Sequence, residues 1–266
     1  MKRVYQRCCG LDVHKKTVVA CLRSPGSGGR RRAEVRTFGT TTAELLTLAE
    51  WLTQNRCQIV AMESTGVYWK PVYNLLEGVF EILLVNAAHI KQVPGRKTDV
   101  KDCEWIAQLL EHGLLRGSFI PPRPIRQLRD LTRYRKTLIR QRADETNRVQ
   151  KVLEDANIKL GDVARDILGA SGRAMLQALI AGERDAAKLA ELAKGLLRRK
   201  REALAAALTG RFSDHHAFLV HQLLTHIDEL NRHIATCDAR IMEALRPFAA
   251  PGGAVANDPR GGSADD

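Results

Sequence analysis

The stretch RVYQRCCGLDVHKKTVVACLRS, residues 3–24, decides the fold. Residues 3–13 read as one strand, and TVVACLRS at 17–24 reads as its neighbour because β-branched residues dominate it. The turn between them is tight. PGSGGRRR at 25–32 is a turn with a basic flank, and AEVRTFG at 33–39 is a third extended stretch, giving an antiparallel meander. The period then changes. TTAELLTLAEWLTQN at 41–55 opens on a Thr cap and repeats Leu45, Leu48, Ala49 and Leu52 on one helical face. CQIVAME at 57–63 has the short apolar run of a central strand, KPVYNLLEG at 70–78 predicts a helix with a Gly stop, and FEILLVN at 80–86 predicts another buried strand. DVKDCEWIAQLLEHG at 99–113 is helical by period, with Cys103, Ile106, Ala107 and Leu110 on one face. The order βββαβαβα predicts an α/β domain, a mixed sheet with helices on its faces.

After the PPRP punctuation at 121–124 no strand pattern remains. Leu131, Arg135, Leu138, Arg142, Glu145, Val149, Val152 and Ala156 alternate steps of three and four, a coiled-coil seam with charged interruptions. Val220, Leu223, Ile227, Leu230, Ile234, Cys237, Ile241 and Ala244 repeat that alternation without a charged break. Shorter helices between residues 161 and 210 predict a small insert at the far end of a hairpin. The expected organisation is an α/β domain over 1–122, an all-α coiled-coil extension over 123–248, and a disordered Gly-, Ala-, Pro- and Asp-rich tail over 249–266.

The charge balance, 42 Lys+Arg against 30 Asp+Glu for a net +12, favours a polyanionic partner. Six cysteines without a CxxC pair or zinc spacing fit reduced cytosolic thiols. The N-terminus is broken by charge before any leader-length apolar run, and no membrane-length apolar run occurs, so a cytoplasmic protein is expected.

Within this basic chain four acids fall at strand ends or helix starts: Asp12 in GLDVHK, Glu63 in MESTG, and Asp99 and Asp102 in KTDVKD. A carboxylate inside an apolar strand costs free energy unless it is paired or bound to metal, which applies to Asp12 and to Glu63. Asp99 and Asp102, at i and i+3, share one face of a first helical turn. By themselves they read as helix-start residues that complement the macrodipole. All four together predict a catalytic Mg²⁺ site for phosphodiester chemistry, in which carboxylates from separate elements leave coordination positions for substrate phosphate.

GLDVHK, MESTGVYW and the long block NAAHIKQVPGRKTDVKDCEWIAQLLEHGLLRGSFIPP together resemble the N-terminal half of the DEDD transposases of the insertion-sequence one-ten family, relatives of the Piv invertases. The resemblance spans roughly residues 5–155. It implies a RuvC-like, ribonuclease-H-like domain whose four metal-binding acids are Asp12, Glu63, Asp99 and Asp102, acting with an element-encoded bridge RNA that pairs with donor and target DNA. The family continues into a second domain with an IPGIG-like segment and a serine that becomes joined to DNA. Nothing after Phe248 matches it, so a truncated or frameshifted copy is expected.

From Pro121 to Lys151 ten basic residues face three acidic ones, which suits a phosphate-tracking helix. Arg133, Arg135, Lys136 and Arg140 are the candidate nucleic-acid contacts there, with Lys15, Arg96, Lys97 and Lys101 beside the acids. The alternative for this helix is a solvated face in a coiled-coil dimer. Tyr68 and Trp69, after Glu63, are placed either to stack on a base or to pack in the core. His215, His216, His221 and His226, without carboxylate partners at metal spacing, read as surface or seam-edge residues. The expected function is a Mg²⁺-dependent transposase acting in bacterial DNA transposition and recombination, oligomeric through its helical hairpin. Two rivals are a noncatalytic nucleic-acid-binding remnant and an actin-like ATPase, the latter disfavoured because its Gly-rich phosphate loops are missing.

Overall fold

β1 (Cys8–Val13) is the central strand of a five-stranded sheet and is buried on both faces through Leu11. β2 (Thr17–Pro25) pairs antiparallel with it, and β3 (Arg31–Gly39) pairs antiparallel with β2. On its other side β1 pairs parallel with β4 (Ile59–Glu63), which pairs parallel with β5 (Glu81–Val85). The order β3-β2-β1-β4-β5, three antiparallel strands followed by two parallel to the first, is ribonuclease-H-like. This computed structural model describes residues 3–64, 66–88 and 102–249, in two compact units that divide between Pro121 and Pro122.

The first strand is shorter than the sequence reading, beginning at Cys8 rather than residue 3. Val4 and Tyr5 donate their backbone N–H groups to the Glu111 carbonyl at 2.9 and 3.3 Å instead of to a strand. Side chains alternate across the sheet with period two. Cys9, Leu11, Val60 and Met62 face α1 (Thr42–Gln54) and α2 (Trp69–Leu76). Cys8, Ile59 and Ala61 face α3 (Asp102–Glu111). Thr41 caps α1 by accepting from the Glu44 N–H, and the helix buries Leu45, Leu48, Trp51 and Leu52, each such side chain stabilising by about 1.5–3 kcal/mol. Gly10 sets how closely α3 approaches. A Cβ there would fall inside 3.0 Å of the Ala107 nitrogen and the Cys103 oxygen, so only glycine lets this helix lie so near the sheet.

The second unit is helical: α4 (Arg123–Asp155), α5 (Leu160–Val163), α6 (Ala170–Ile180), α7 (Ala186–Glu191), a 3₁₀ turn (Gly195–Lys200), α8 (Arg201–Ala207) and α9 (Asp214–Ala249). Pro124 in the first turn of α4 gives up no intrahelical hydrogen bond. α4 and α9 run antiparallel: Arg135 pairs with Asp238, Arg142 with Asn231 at 3.1 Å, and Asp155 with His216 at 2.9 Å. Leu138 packs against Leu230, Ile234 and Cys237. The charged interruptions of the α4 seam are therefore used within the chain, since Arg135 and Arg142 reach across to polar groups of α9. The short helices close the far end of the hairpin, where Val149, Leu153, Leu160, Met175, Leu204 and Val220 share one core. Among the described residues no helix is long and apolar enough to cross a membrane. The expected disordered tail lies outside the described residues from Ala250 onward.

Candidate functional site

The last bonded pair between β1 and β4 is Leu11 with Met62, so Asp12 and Glu63 follow as neighbours where the two parallel strands end. Adjacent strands lie about 4.8 Å apart, which brings both carboxylates to one end of the sheet. Their parity is that of Cys8 and Gly10 on β1 and of Ile59 and Ala61 on β4, the face covered by α3. Asp102 opens α3, and the next residue, Cys103, packs with Cys21 and Ala107 above Gly10. Three elements thus deliver one acid each to the same region.

Electrostatics report the same convergence. The Asp12 carboxyl is held above the ordinary carboxylate range, first by burial, with the charges of Asp102 and Glu63 adding and His14 opposing. His14 Nε2 lies 3.1 Å from Asp12 Oδ2, a partner that sequence reasoning missed although the i, i+2 spacing of DVH puts both on one side of the strand end. Lys15 is exposed in the β1–β2 turn, its carbonyl accepting from Thr40 Oγ1 at 3.1 Å. Asp99, Arg96, Lys97 and Lys101 lie outside the described residues.

Hard oxygen donors of this kind suit a hard divalent cation. Among the described residues, however, no three His, Cys, Asp or Glu side chains stand close enough together to hold a metal ion.

The far end of α3 is anchored by a residue that sequence reasoning did not single out. Glu111 is fully buried and pairs with Arg3 at 3.4 Å, with Arg31 at 2.7 Å and with Arg23. No local signal exposes it, because its partners lie some eighty or more positions away in sequence. Together with Gly10 it fixes α3 against the sheet and so fixes the helix start that carries Asp102.

Of the aromatic pair, Trp69 belongs to the core, edge-on to Tyr73 at 5.8 Å, while Tyr68 is 43% exposed. On α4, Arg133, Lys136 and Arg140 are exposed, whereas Arg135 is half-buried and engaged by Asp238. Two of the histidines have acidic partners: His216 pairs with the distant Asp155 at 2.9 Å, and His226 lies 3.7 Å from Glu229, one helical turn on. His216 Nδ1 also accepts the Ser213 N–H at 3.0 Å, so this group caps the start of α9. Cys8, Cys9 and Cys21 are buried and Cys57 half-buried: desolvation pushes Cys8, Cys21 and Cys57 up to about 12 and Cys9 well above its usual value.

Solved structures similar to the chain include Thermus thermophilus RuvC, at 13% identity and a TM-score of 0.31, covering 42% of this chain and 99% of that one. T. thermophilus RuvC in complex with a Holliday junction substrate matches at 12% identity and a TM-score of 0.29, with the same coverage. A fowlpox virus resolvase in complex with Holliday junction DNA matches at 13% identity and a TM-score of 0.25, covering 35% of this chain and 65% of that one. A comparison with curated proteins returns no significant match. The model of the IS110-type DEDD transposase family, described as a transposase, matches residues 9–158, from β1 through the whole of α4 and more than half of the sequence. The chain belongs to this transposase family.

Proposed function

We propose that the chain breaks and rejoins DNA phosphodiester bonds at the end of β1 and β4, with Mg²⁺ held by Asp12, Glu63, Asp99 and Asp102. The observation that carries this reading is geometric: β1 and β4 end side by side at Asp12 and Glu63, on the face covered by α3, which Asp102 opens. When bound, the cation would polarise the scissile phosphate and activate the attacking oxygen. The chain's own contributions are to orient the carboxylates and to bring cationic groups near phosphate. Asp12 is oriented by His14, Asp102 by the seating of α3 on Gly10 and Glu111, and Lys15 offers a cation at the neighbouring turn. Arg133, Lys136 and Arg140 extend the phosphate contacts to the second unit, with DNA and an element-encoded guide RNA as partners and a homo-oligomer as the working form.

The test is nicking of supercoiled element DNA with Mg²⁺ or Mn²⁺, comparing wild type with Asp12→Asn and Glu63→Gln. Cleavage that survives in both variants refutes the site. A second reading, a nucleic-acid-binding protein without cutting activity, is favoured by one observation: the three described acids are not at metal-holding spacing. Under that reading DNA binding persists and no metal-dependent nicking appears in wild type.

A further inference from the structure

The proposed function leaves a second basic surface without a role. Lys194, Arg198, Arg199, Lys200 and Arg201 crowd into eight residues around the 3₁₀ turn, which contain no acid. All five are exposed. Among the described residues Arg201 is the one of the five paired with an acid, Glu191 at 2.8 Å. Arg198 Nε and Lys200 Nζ donate to the carbonyls of Ala193 and Val163, both at 3.4 Å, which positions the cations without cancelling their charge. Arg165, also exposed, follows Val163 by two residues and adds to the same patch.

The position of this turn relates it to α4. At 100° per residue, Arg129, Arg133, Lys136 and Arg140 project from the side of α4 opposite the seam residues Leu131, Leu138 and Glu145. Lys151 falls on that same outer side. There Asn147, Gln150, Lys151 and Glu154 line an open hollow whose other wall is Gly161 and Asp162 of α5. α5 ends at Val163, the residue whose carbonyl holds Lys200. The basic turn therefore abuts the helix that lies over the outer face of α4. From Arg129 to Lys151 that face is about 33 Å long at 1.5 Å per residue, close to one turn of a nucleic-acid duplex. On α9, by contrast, Arg232 and Arg240 pair with Glu229 and Glu243.

We propose that the turn Lys194–Arg201, with Arg165, is a second phosphate-binding surface, which grips a nucleic-acid backbone running along the outer face of α4. Its ligand is a phosphodiester strand, from either duplex DNA or a structured RNA. The proposal rests on the nucleic-acid-handling reading but not on the acidic site.

The test is binding of the full chain to a 30-base-pair DNA duplex and, separately, to a hairpin RNA, by fluorescence anisotropy from 50 to 300 mM salt. The variant is Lys194→Glu/Arg199→Glu, because among the described residues these two exposed side chains make no hydrogen bond or ion pair. The expected result is a loss of at least tenfold in affinity at 100 mM salt, a slope of log affinity on log salt shallower by about two, and recovery in Lys194→Arg/Arg199→Lys. The larger loss in the DNA or the RNA arm identifies the source of the backbone. Unchanged affinity and slope in both arms overturn the proposal, as does a failure of wild type to bind either nucleic acid. Asp12→Asn, run alongside, separates the two readings: it should bind as wild type does while losing nicking, so collapse of the cutting site leaves this surface standing.

Discussion

Replacing Gly10 by alanine tests the seating of α3 most directly. The new Cβ would stand 3.0 Å from Ala107 Cα and closer still to the Ala107 nitrogen and Cys103 oxygen, against about 3.4 Å for ordinary contact. All three obstacles are backbone atoms of one helix, so no side-chain rotation relieves them. The helix must retreat by roughly 0.5–1 Å, an overpacking that costs about 1–3 kcal/mol. On a unit of this size that lowers Tm by roughly 4–15 °C. The same retreat carries Asp102 away from Asp12, and displacements near 1 Å at a reacting centre cost up to about 10²-fold in rate. Differential scanning calorimetry and the nicking assay measure the two effects. Gly161→Ala is the control, since its nearest neighbour would be Gln150 Nε2 at 4.0 Å. A Gly10→Ala protein with wild-type Tm and wild-type metal-dependent nicking would refute the argument that glycine sets the position of α3.

Asp12→Asn should raise the Tm of the metal-free chain at neutral pH. The folded chain holds the Asp12 carboxyl above its unfolded value, so its ionisation destabilises the fold as pH rises through that raised value, and asparagine removes the penalty. A Tm difference between variant and wild type that fails to widen from pH 4 to pH 8 would contradict this. Glu111→Ala should cost about 3–5 kcal/mol in chemical denaturation, because it strands Arg23 and Arg31 beside a buried site. In Arg133→Ala/Lys136→Ala/Arg140→Ala the salt slope of DNA binding should fall by about three, while Arg135→Ala, whose side chain is committed to Asp238, should leave it nearly unchanged. Native chain at pH 8 should resist alkylation at Cys8, Cys9 and Cys21, whose buried thiols stay protonated, and react fully in guanidinium; rapid native labelling at these positions would count against their burial.

The sheet was legible wherever local pattern carried it. The meander, the Thr41 cap and the apolar faces of α1 and α3 follow from periodicity that needs no distant partner. The seam on α9 was plain, and that on α4 less so, because Arg135, Arg142 and Glu145 interrupt its alternating steps of three and four. Illegible features depend on distant residues. Residues 3–7 look like strand, yet Val4 and Tyr5 bond to the end of a helix a hundred positions away. Glu111 looks like any solvent-facing glutamate at a helix end until three arginines from elsewhere bury it. The partner that His216 takes, Asp155, is 61 positions away and meets it only when the hairpin closes. At the candidate site, apolar or helix-start contexts are what single out Asp12, Glu63 and Asp102 as candidates. That β1 and β4 end together depends on parallel pairing, which no local signal encodes.

The α4–α9 hairpin makes the second unit a measuring rod. α4 alone has 33 residues, about 50 Å of helix, and side-chain bonds at three levels, Arg135, Arg142 and Asp155, keep the two rods from sliding past each other. Lengthening both arms by matched heptads would move the closed end outward by about 10 Å per heptad without altering either seam. Any strand held at both Arg129 and Arg199 would then have to be longer by three base pairs or so, turning helix length into a dial for substrate size.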